Sequence, residues 1–266
     1  MHIQIENGFL EYDTVGQGLP VLFIHGYPLS RRIWEPQLEG LSDQAMMITV
    51  DLRGHGESFP FEGRYTMDLL AEDLQKILAA ANIKTPVVVC GLSMGGYATM
   101  ALYRQNPRLF KGMILTSTRP GADSPEGKAS RQASIVDALE NGAGYIADGM
   151  IEKIVSPATR MTKPELVKTI HGIMAKTSVQ GIVGALQGMM ERPDSTQTLG
   201  MVNCPVLIIH GLDDQLIAVK EAEAMHRVIP DSRLVKIPQA GHLCNMEQPE
   251  LFNQAIREFI SPMVQV

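Results

Sequence analysis

The chain has few cysteines, and they lack the spacings that make disulfide frameworks or metal sites. Cys90, Cys204 and Cys244 are odd in number and lie far apart in the sequence. Such spacing argues against a set of disulfide bonds and favours a reducing compartment. Because no Cys-x-x-Cys pair and no cysteine–histidine spacing typical of zinc is present, the sequence predicts neither a metal site nor a bound cofactor.

Long apolar runs and an excess of basic residues are also missing. The 266 residues carry 23 lysines and arginines against 29 aspartates and glutamates, a net charge of −6. Without a basic patch that contains aromatic residues, nucleic acid is not an expected partner. No run is long enough to span a bilayer, and residues 1–7 lack the basic and apolar parts of a secretory signal. We therefore expect a cytoplasmic protein that binds a small molecule rather than nucleic acid or a membrane.

The sequence does contain a regular alternation of short apolar runs and helical patterns. Hydrophobic residues make up 45% of the chain, which together with its length fits one large α/β domain. Buried strands are predicted at 19–24, 46–50, 87–89, 112–116, 205–209 and 234–237. Helices are predicted at 34–41, 67–81, 219–228 and 249–260. This alternation is typical of a mainly parallel, doubly wound sheet.

The alternation stops in the middle of the chain. Between residues 120 and 199 strand-like runs disappear and helical patterns dominate. We interpret 120–199 as a helical cap inserted into a core made of 1–119 and 200–266. Nothing in the sequence indicates an oligomeric state.

The most informative stretch joins the strand at 87–89 to the helix that follows it. Its Gly91-Leu92-Ser93-Met94-Gly95 has the Gly-x-Ser-x-Gly pattern of a nucleophile elbow. In such an elbow the turn is tight enough that side chains at the two glycines collide with neighbouring strands. The alternative is an ordinary glycine-rich turn in which the serine caps a helix.

A serine nucleophile needs a base, and the base needs an acid that orients it. His242 lies in a loop just after the last strand, where the carboxyl ends of the strands converge. The acid is expected between the serine and the histidine in the chain. Asp214, just after the strand at 205–209, is the preferred candidate, and the neighbouring Asp213 is the alternative. Asp123 lies farther off, inside the predicted cap.

The same chemistry needs two backbone N–H groups that stabilise an oxyanion. Met94, directly after the serine, is predicted to supply one. Tyr27, in His25-Gly26-Tyr27-Pro28 after the first buried strand, is predicted to supply the other. The ring of Tyr27 either lines the pocket or packs internally, and we interpret His25 as a structural hydrogen-bonding residue.

A mostly apolar pocket is expected beside the serine. The candidates for its wall are Trp34, Met150, Met174, Met189 and Met190. Methionines at helical spacing also fit ordinary core packing, which remains the alternative for these positions.

Five segments, taken in order, resemble the α/β-hydrolase superfamily: 25–28, 51–58, 91–96, 211–214 and 240–242. The resemblance implies the α/β-hydrolase fold, and a catalytic triad of Ser93, Asp214 and His242. It also implies hydrolysis of carboxylic esters or lactones of small to medium acyl groups through an acyl-enzyme. The segment at 25–28 is similar to that of bacterial arylesterases and cofactor-free haloperoxidases. The cap is more similar to that of 3-oxoadipate enol-lactonases, whose oxyanion loop differs.

Other activities of the same superfamily stay open. The haloalkane dehalogenases use an aspartate where this chain has Ser93, so that chemistry is excluded. The triad is compatible with hydrolysis of carbon–carbon bonds and with perhydrolysis. A small-molecule receptor built on the hydrolase fold is a further alternative.

Overall fold

The computed structural model describes residues 1–264, and within them eight strands form one sheet. The strands are β1 (His2–Ile5), β2 (Gly8–Val15), β3 (Pro20–Ile24), β4 (Met46–Val50), β5 (Val87–Leu92), β6 (Phe110–Thr116), β7 (Val206–Gly211) and β8 (Ser232–Ile237). Their order across the sheet is β1-β2-β4-β3-β5-β6-β7-β8. The pairs β1–β2 and β2–β4 are antiparallel and the other pairs are parallel.

Helices follow most of the parallel strands. They are α1 (Glu35–Leu41), α2 (Met67–Ala80), α3 (Met94–Gln105), α4 (Pro125–Ile154), α5 (Pro157–Thr162), α6 (Pro164–Ala175), α7 (Val179–Glu191), α8 (Thr196–Gly200), α9 (Val219–Val228), α10 (Cys244–Glu247) and α11 (Pro249–Val264). Short 3₁₀ helices occur at Arg31–Trp34 and Pro107–Leu109. None of the described helices combines the length and the apolar character needed to cross a membrane.

The apolar runs of the sequence form the central strands of the sheet, and both faces of these strands are buried. Every residue of β3, β5 and β7 is buried. Side chains alternate between faces along a strand, so Leu22 and Ile24 pack into one apolar cluster while Val21 and Phe23 pack into the other. The predicted mainly parallel, doubly wound sheet is thereby confirmed.

Local signals set the helix boundaries. Thr66, which precedes α2, accepts a hydrogen bond on its hydroxyl oxygen from the Leu69 N–H at 3.1 Å, and this satisfies one of the unpaired donors of the first turn. From there Leu70, Leu74 and Ile77 lie on one face and are buried. An N-cap followed by an apolar stripe was enough to place this helix from sequence.

All the regular secondary structure between β6 and β7 is helical and consists of α4 to α8. Helix α4 is interrupted at Gly142, whose φ of +80° is in the region that favours glycine. Helix α7 packs so closely on the core that a side chain at Gly181 would overlap the carbonyl oxygen of Gly54. The Ser178 hydroxyl donates to that same oxygen at 2.8 Å. The helical segment is therefore held to the core through direct backbone contacts.

Helix α3 approaches β3 closely at its first turn. A Cβ atom at Gly95 would overlap the carbonyl oxygen of Ile24 and come within 2.8 Å of that of His25. We expect Gly95→Ala to lower the free energy of unfolding by about 1–3 kcal/mol, because backbone cannot move aside as a flexible side chain can. Thermal denaturation followed by circular dichroism measures the change.

Gly149→Ala is the matched control, since Gly149 also lies in a helix but has open space where its Cβ would be. There the same change should raise the free energy of unfolding by up to about 1 kcal/mol through helix propensity. An equal effect of the two substitutions would contradict the steric explanation of Gly95.

Candidate active site

Ser93 occupies the sharp turn between β5 and α3. Its φ of 55° and ψ of −113° lie outside the regions that residues with a Cβ ordinarily adopt. The turn is fixed by hydrogen bonds from the Ser93 N–H to Thr116 O at 2.9 Å and from the Thr118 hydroxyl to Ser93 O at 2.8 Å. A Cβ at Gly91 would overlap the backbone of Gly95, so the glycine pattern follows from the close contacts within the turn.

His242 and Asp214 are in direct contact. Nδ1 of His242 lies 2.8 Å from Oδ2 of Asp214, and both side chains are buried. A carboxylate only accepts, so Nδ1 carries a proton, and in the neutral ring the lone pair is then on Nε2. Asp213, the alternative acid, is exposed. Of the two candidates, the structure brings Asp214 to the histidine.

Asp214 is held as an anion. Its other oxygen, Oδ1, accepts from the N–H groups of Leu216 at 2.8 Å and Ile217 at 3.0 Å. Burial alone would raise the pKa of Asp214, but His242 and these hydrogen bonds hold it below its ordinary value. His210 Nε2 lies 3.4 Å from Asp214 Oδ2 and 2.8 Å from Ile217 O. Burial lowers the pKa of His210, so this ring stands beside the carboxylate as a neutral group.

The loop that carries His242 is fastened by a buried carboxylate that the sequence did not single out. Glu247 Oε1 accepts from the Gly241 N–H at 2.8 Å, and Oε2 accepts from the Ser156 N–H at 2.7 Å. The His242 N–H donates to Ile154 O at 3.1 Å. The position of His242 therefore depends on the end of α4 as well as on the core.

The predicted oxyanion loop lies against the elbow. A Cβ at Gly26 would come within 3.1 Å of Ser93 Cβ, which places the loop directly beside the serine. His25 holds the loop through Nδ1, 2.8 Å from Gly26 O, and through Nε2, which accepts from the Leu52 N–H at 3.0 Å. Within residues 1–264 the N–H groups of Tyr27 and Met94 donate to no protein atom. Both remain available to a ligand.

A cleft of about 340 Å³ opens at the serine. It is lined by Tyr27, Ser93, Tyr97, Arg119, Asp123, Gly127, Ser130, Arg131, Ser134, Met150, Leu186, Met189, Leu216, Ile217 and His242. Ser93 and His242 thus face the same space, and Met150 and Met189 lie on its wall. A larger cleft of about 470 Å³, between α6 and the loop after β4, is lined by none of the three predicted triad residues.

Three residues predicted for the wall lie elsewhere. Trp34 is fully buried and packs on Phe23, with ring centroids 5.0 Å apart, in the apolar cluster that also holds Met174. Met190 packs against the other apolar cluster and does not line the cleft. The prediction is corrected for these three positions, because helical spacing defines a face of a helix but not which neighbour that face meets.

One wall of the cleft is charged, contrary to the apolar pocket expected. The buried Asp123 carboxylate contacts Arg119 at 3.0 Å, Arg131 at 2.5 Å and Arg192 at 2.9 Å. Burial acts to raise the pKa of Asp123, but Arg131 and Arg192 hold it below its ordinary value. We call these four residues the arginine cluster. Arg119, Asp123 and Arg131 lie close together in the sequence, and Arg192 joins them from the far end of α7.

The described residues contain no group of three or more histidine, cysteine, aspartate or glutamate side chains arranged to hold a metal ion. Cys90, Cys204 and Cys244 are buried and unpaired with one another. Burial raises the pKa of the Cys90 and Cys244 thiols well above the ordinary value. These cysteines are packing residues rather than nucleophiles.

The sequence profile of the alpha/beta hydrolase family matches residues 21–255. The chain belongs to that family. This confirms the superfamily resemblance and the fold expected from the five segments. The family supplies hydrolases with many substrates, so the individual relatives carry the finer comparison.

Among curated proteins, 3-oxoadipate enol-lactonase 2 of Acinetobacter baylyi is 28% identical over 249 residues, covering 93% of this chain and 91% of that protein. Non-heme chloroperoxidase CPO-A1 of Kitasatospora aureofaciens is 27% identical over 267 residues, covering 94% and 95%. Among solved structures, a malate-bound thermophilic esterase from Thermogutta terrifontis is 40% identical with a TM-score of 0.94, covering 97% of this chain and 94% of that one.

Replacing Glu247 tests the support of the histidine loop in this hydrolase. In Glu247→Gln an amide NH₂ would face a backbone N–H in place of an acceptor oxygen. We expect the free energy of unfolding to fall by about 1–3 kcal/mol, the cost of a buried group without its partner. In a chain of this size this corresponds to a Tm lower by about 2–4 °C per kcal/mol. Glu250→Gln, at an exposed carboxylate in the first turn of α11, should leave the Tm unchanged.

The buried imidazoles of His25 and His55 predict a pH dependence of stability. Burial lowers the pKa of His25 to about 4 and that of His55 to about 3. In the unfolded chain both titrate near 6.5, so the unfolded state binds more protons below that pH. Stability should be intact above pH 7 and fall as the pH drops from about 6.5 towards 4, by up to about 1.4 kcal/mol per pH unit and histidine.

Thermal melts between pH 7.5 and 4.5 measure this dependence. His55→Gln should show a shallower loss of stability than the unmodified protein, because one titrating group is removed. His226→Gln, at an exposed histidine, should follow the unmodified protein. An unchanged slope in His55→Gln would show that other groups cause the loss.

Proposed function

We propose that the protein is a serine hydrolase of carboxylic esters or lactones with small to medium acyl groups. The observation that carries this proposal is the 2.8 Å contact between His242 Nδ1 and Asp214 Oδ2, in a cleft that the strained Ser93 also lines. A base oriented by an acid beside a serine that lines a cleft is the arrangement that nucleophilic acyl transfer requires. We also propose that the helices within 120–199 act as a cap over this cleft.

In the first step the Ser93 oxygen attacks the carbonyl carbon of the substrate. Nε2 of His242 accepts the hydroxyl proton, and Asp214 stabilises the imidazolium that forms. The N–H groups of Tyr27 and Met94 donate to the oxyanion of the tetrahedral intermediate. Because Met94 is the first residue of α3, the positive end of that helix dipole adds to the stabilisation.

In the second step the intermediate collapses to products. The bond to the leaving oxygen breaks, and the proton on His242 passes to the departing alcohol, which leaves an acyl group on Ser93. His242 then takes a proton from water as the water attacks the acyl-enzyme, and returns it to Ser93 when the acid is released. In a lactone the alcohol and the acid belong to one molecule, so the ring opens.

The named relatives support this chemistry. The esterase from Thermogutta terrifontis and the enol-lactonase from Acinetobacter baylyi act on the two kinds of bond proposed here. A second candidate is perhydrolysis, in which hydrogen peroxide rather than water takes the acyl group from Ser93 and leaves as a peracid. The similarity to a non-heme chloroperoxidase favours that candidate.

Active-site labelling combined with kinetics tests the proposal. The protein and Ser93→Ala are treated with a fluorophosphonate and then assayed on 4-nitrophenyl esters of increasing acyl length, on simple lactones, and with added peroxide. We expect labelling of the unmodified protein alone. We expect Ser93→Ala to lose turnover by about 10⁴-fold or more, since members of a triad act as a unit.

Ser134→Ala is the matched control, because Ser134 lines the same cleft without a neighbouring histidine contact. It should label and turn over like the unmodified protein. If Ser93→Ala kept its ester turnover in a clean preparation, the proposed mechanism would be wrong. Tight binding of a ligand without turnover would favour the receptor alternative.

A further inference from the structure

The arginine cluster has more positive charge than its own carboxylate balances. Three guanidinium groups surround Asp123, and Asp123 is the one acidic side chain among the residues that line the cleft. Asp194 lies near Arg192, but its carboxylate accepts from the Thr196 N–H at 2.7 Å. An anion in the cleft would therefore meet a net positive potential at close range.

The three arginines do not have the same role. Arg192 does not line the cleft. It donates to Met189 O and to Gly121 O, each at 2.8 Å, and stacks on the Tyr97 ring at 4.1 Å, while its Nε is buried without a partner in the described part of the chain. Its side chain is 2% exposed. This arginine fixes Asp123 in place rather than reaching a ligand.

Arg119 and Arg131 are partly exposed and line the cleft. Asp123 takes one strong hydrogen bond from each, from Nη2 of Arg119 at 3.0 Å and from Nε of Arg131 at 2.5 Å. The Nε group of Arg119 is itself buried and donates to no atom within residues 1–264, so the N–H groups that a ligand would meet are those at the end of the guanidinium. Their side chains are 34% and 20% exposed, and both line the cleft with Ser93. Two guanidinium groups with spare N–H donors suit a carboxylate, which arginine binds in a bidentate manner.

The cleft is small enough that one ligand would contact both the charged wall and Ser93. At about 340 Å³ it is near the lower end of the range for small-molecule sites. A ligand that fills it meets Ser93 and His242 as well as Arg119 and Arg131. Met150, Leu186 and Met189 give the cleft an apolar part that suits a short carbon chain between the two polar ends.

We propose that Arg119 and Arg131 form an anion subsite, and that the substrates are esters or lactones that carry a carboxylate a few carbons from the carbonyl attacked. This inference rests on the proposed function for the bond that is cleaved. The anion subsite itself is separable from it, because a carboxylate would bind there whether or not Ser93 is a nucleophile.

A matched pair of substrates tests the inference. 4-Nitrophenyl hydrogen adipate carries a free carboxylate, and its methyl ester has the same chain without the charge. We expect kcat/KM of the unmodified protein to be higher for the anionic ester. Arg131→Gln or Arg119→Gln should lower kcat/KM for the anionic ester by about 10- to 100-fold, the value of a charge-assisted hydrogen bond, and change it less than about threefold for the methyl ester.

Two further variants separate recognition from folding. Arg131→Lys keeps the charge and should retain part of the preference. Arg64→Gln removes an exposed arginine that pairs with Glu191 and does not line the cleft, and it should behave like the unmodified protein on both esters. Equal losses on the anionic and the neutral ester in Arg131→Gln would indicate a structural role and would overturn the inference.

Binding measured without turnover keeps this inference distinct from the proposed function. Titration calorimetry of adipate into Ser93→Ala should show binding that dimethyl adipate does not, and adding Arg131→Gln should weaken it at least tenfold. If neither ester were hydrolysed, the proposed function would be wrong. The binding of adipate would then still show whether the anion subsite exists. If the neutral ester were hydrolysed with no preference for the anion and adipate did not bind, the proposed function would stand and the subsite would be wrong.

Discussion

The site depends on the contact between the first turn of α3 and the end of β3, where Gly95 lies directly on the carbonyl oxygen of Ile24. Only a residue without a Cβ permits this approach. It brings the loop after β3 onto the loop after β5, so Gly26 comes to lie beside Ser93. Ser93 and the loop that holds the proposed backbone donor follow different strands. They meet because those strands are neighbours and because α3 packs on β3 without a side chain between them.

Buried carboxylates hold the other loops at this edge of the sheet. Asp51, after β4, accepts from the N–H groups of Arg31 at 2.7 Å and Glu57 at 2.9 Å. Asp214 and Glu247 do the same after β7 and β8, each accepting from two backbone N–H groups. A loop cannot satisfy its own backbone donors as a helix does, and a buried carboxylate supplies two acceptors at one point. Of the three carboxylates, Asp214 also contacts the imidazole of His242. It therefore holds its loop and belongs to the candidate site as well.

The sequence predicted those features that are local or periodic. The glycines around Ser93, the helix at 67–81 and the order of strands and helices along the chain follow from short patterns, so the sequence alone predicts them. The side chains that come together from distant segments are not predicted in this way. Trp34 and Met174 were expected in the pocket and lie in the core instead, since periodicity does not identify the facing element. Arg131 was not anticipated: its partner Asp123 is only eight residues away, but the position of both beside Ser93 and Met189 depends on how α4 packs on the core.

Helix α4 contributes to the wall of the cleft and also contacts the loop that carries His242. Its first half carries Arg131 on the cleft wall, and its last residue, Ile154, accepts the hydrogen bond from the His242 N–H. Gly142 breaks the helix between the two halves, with a conformation that residues with a Cβ rarely adopt. Each half can therefore take the orientation that its own contacts require. We expect changes near Arg131 to alter what binds in the cleft more than they alter the support of His242, although Met150 in the second half also lines the cleft.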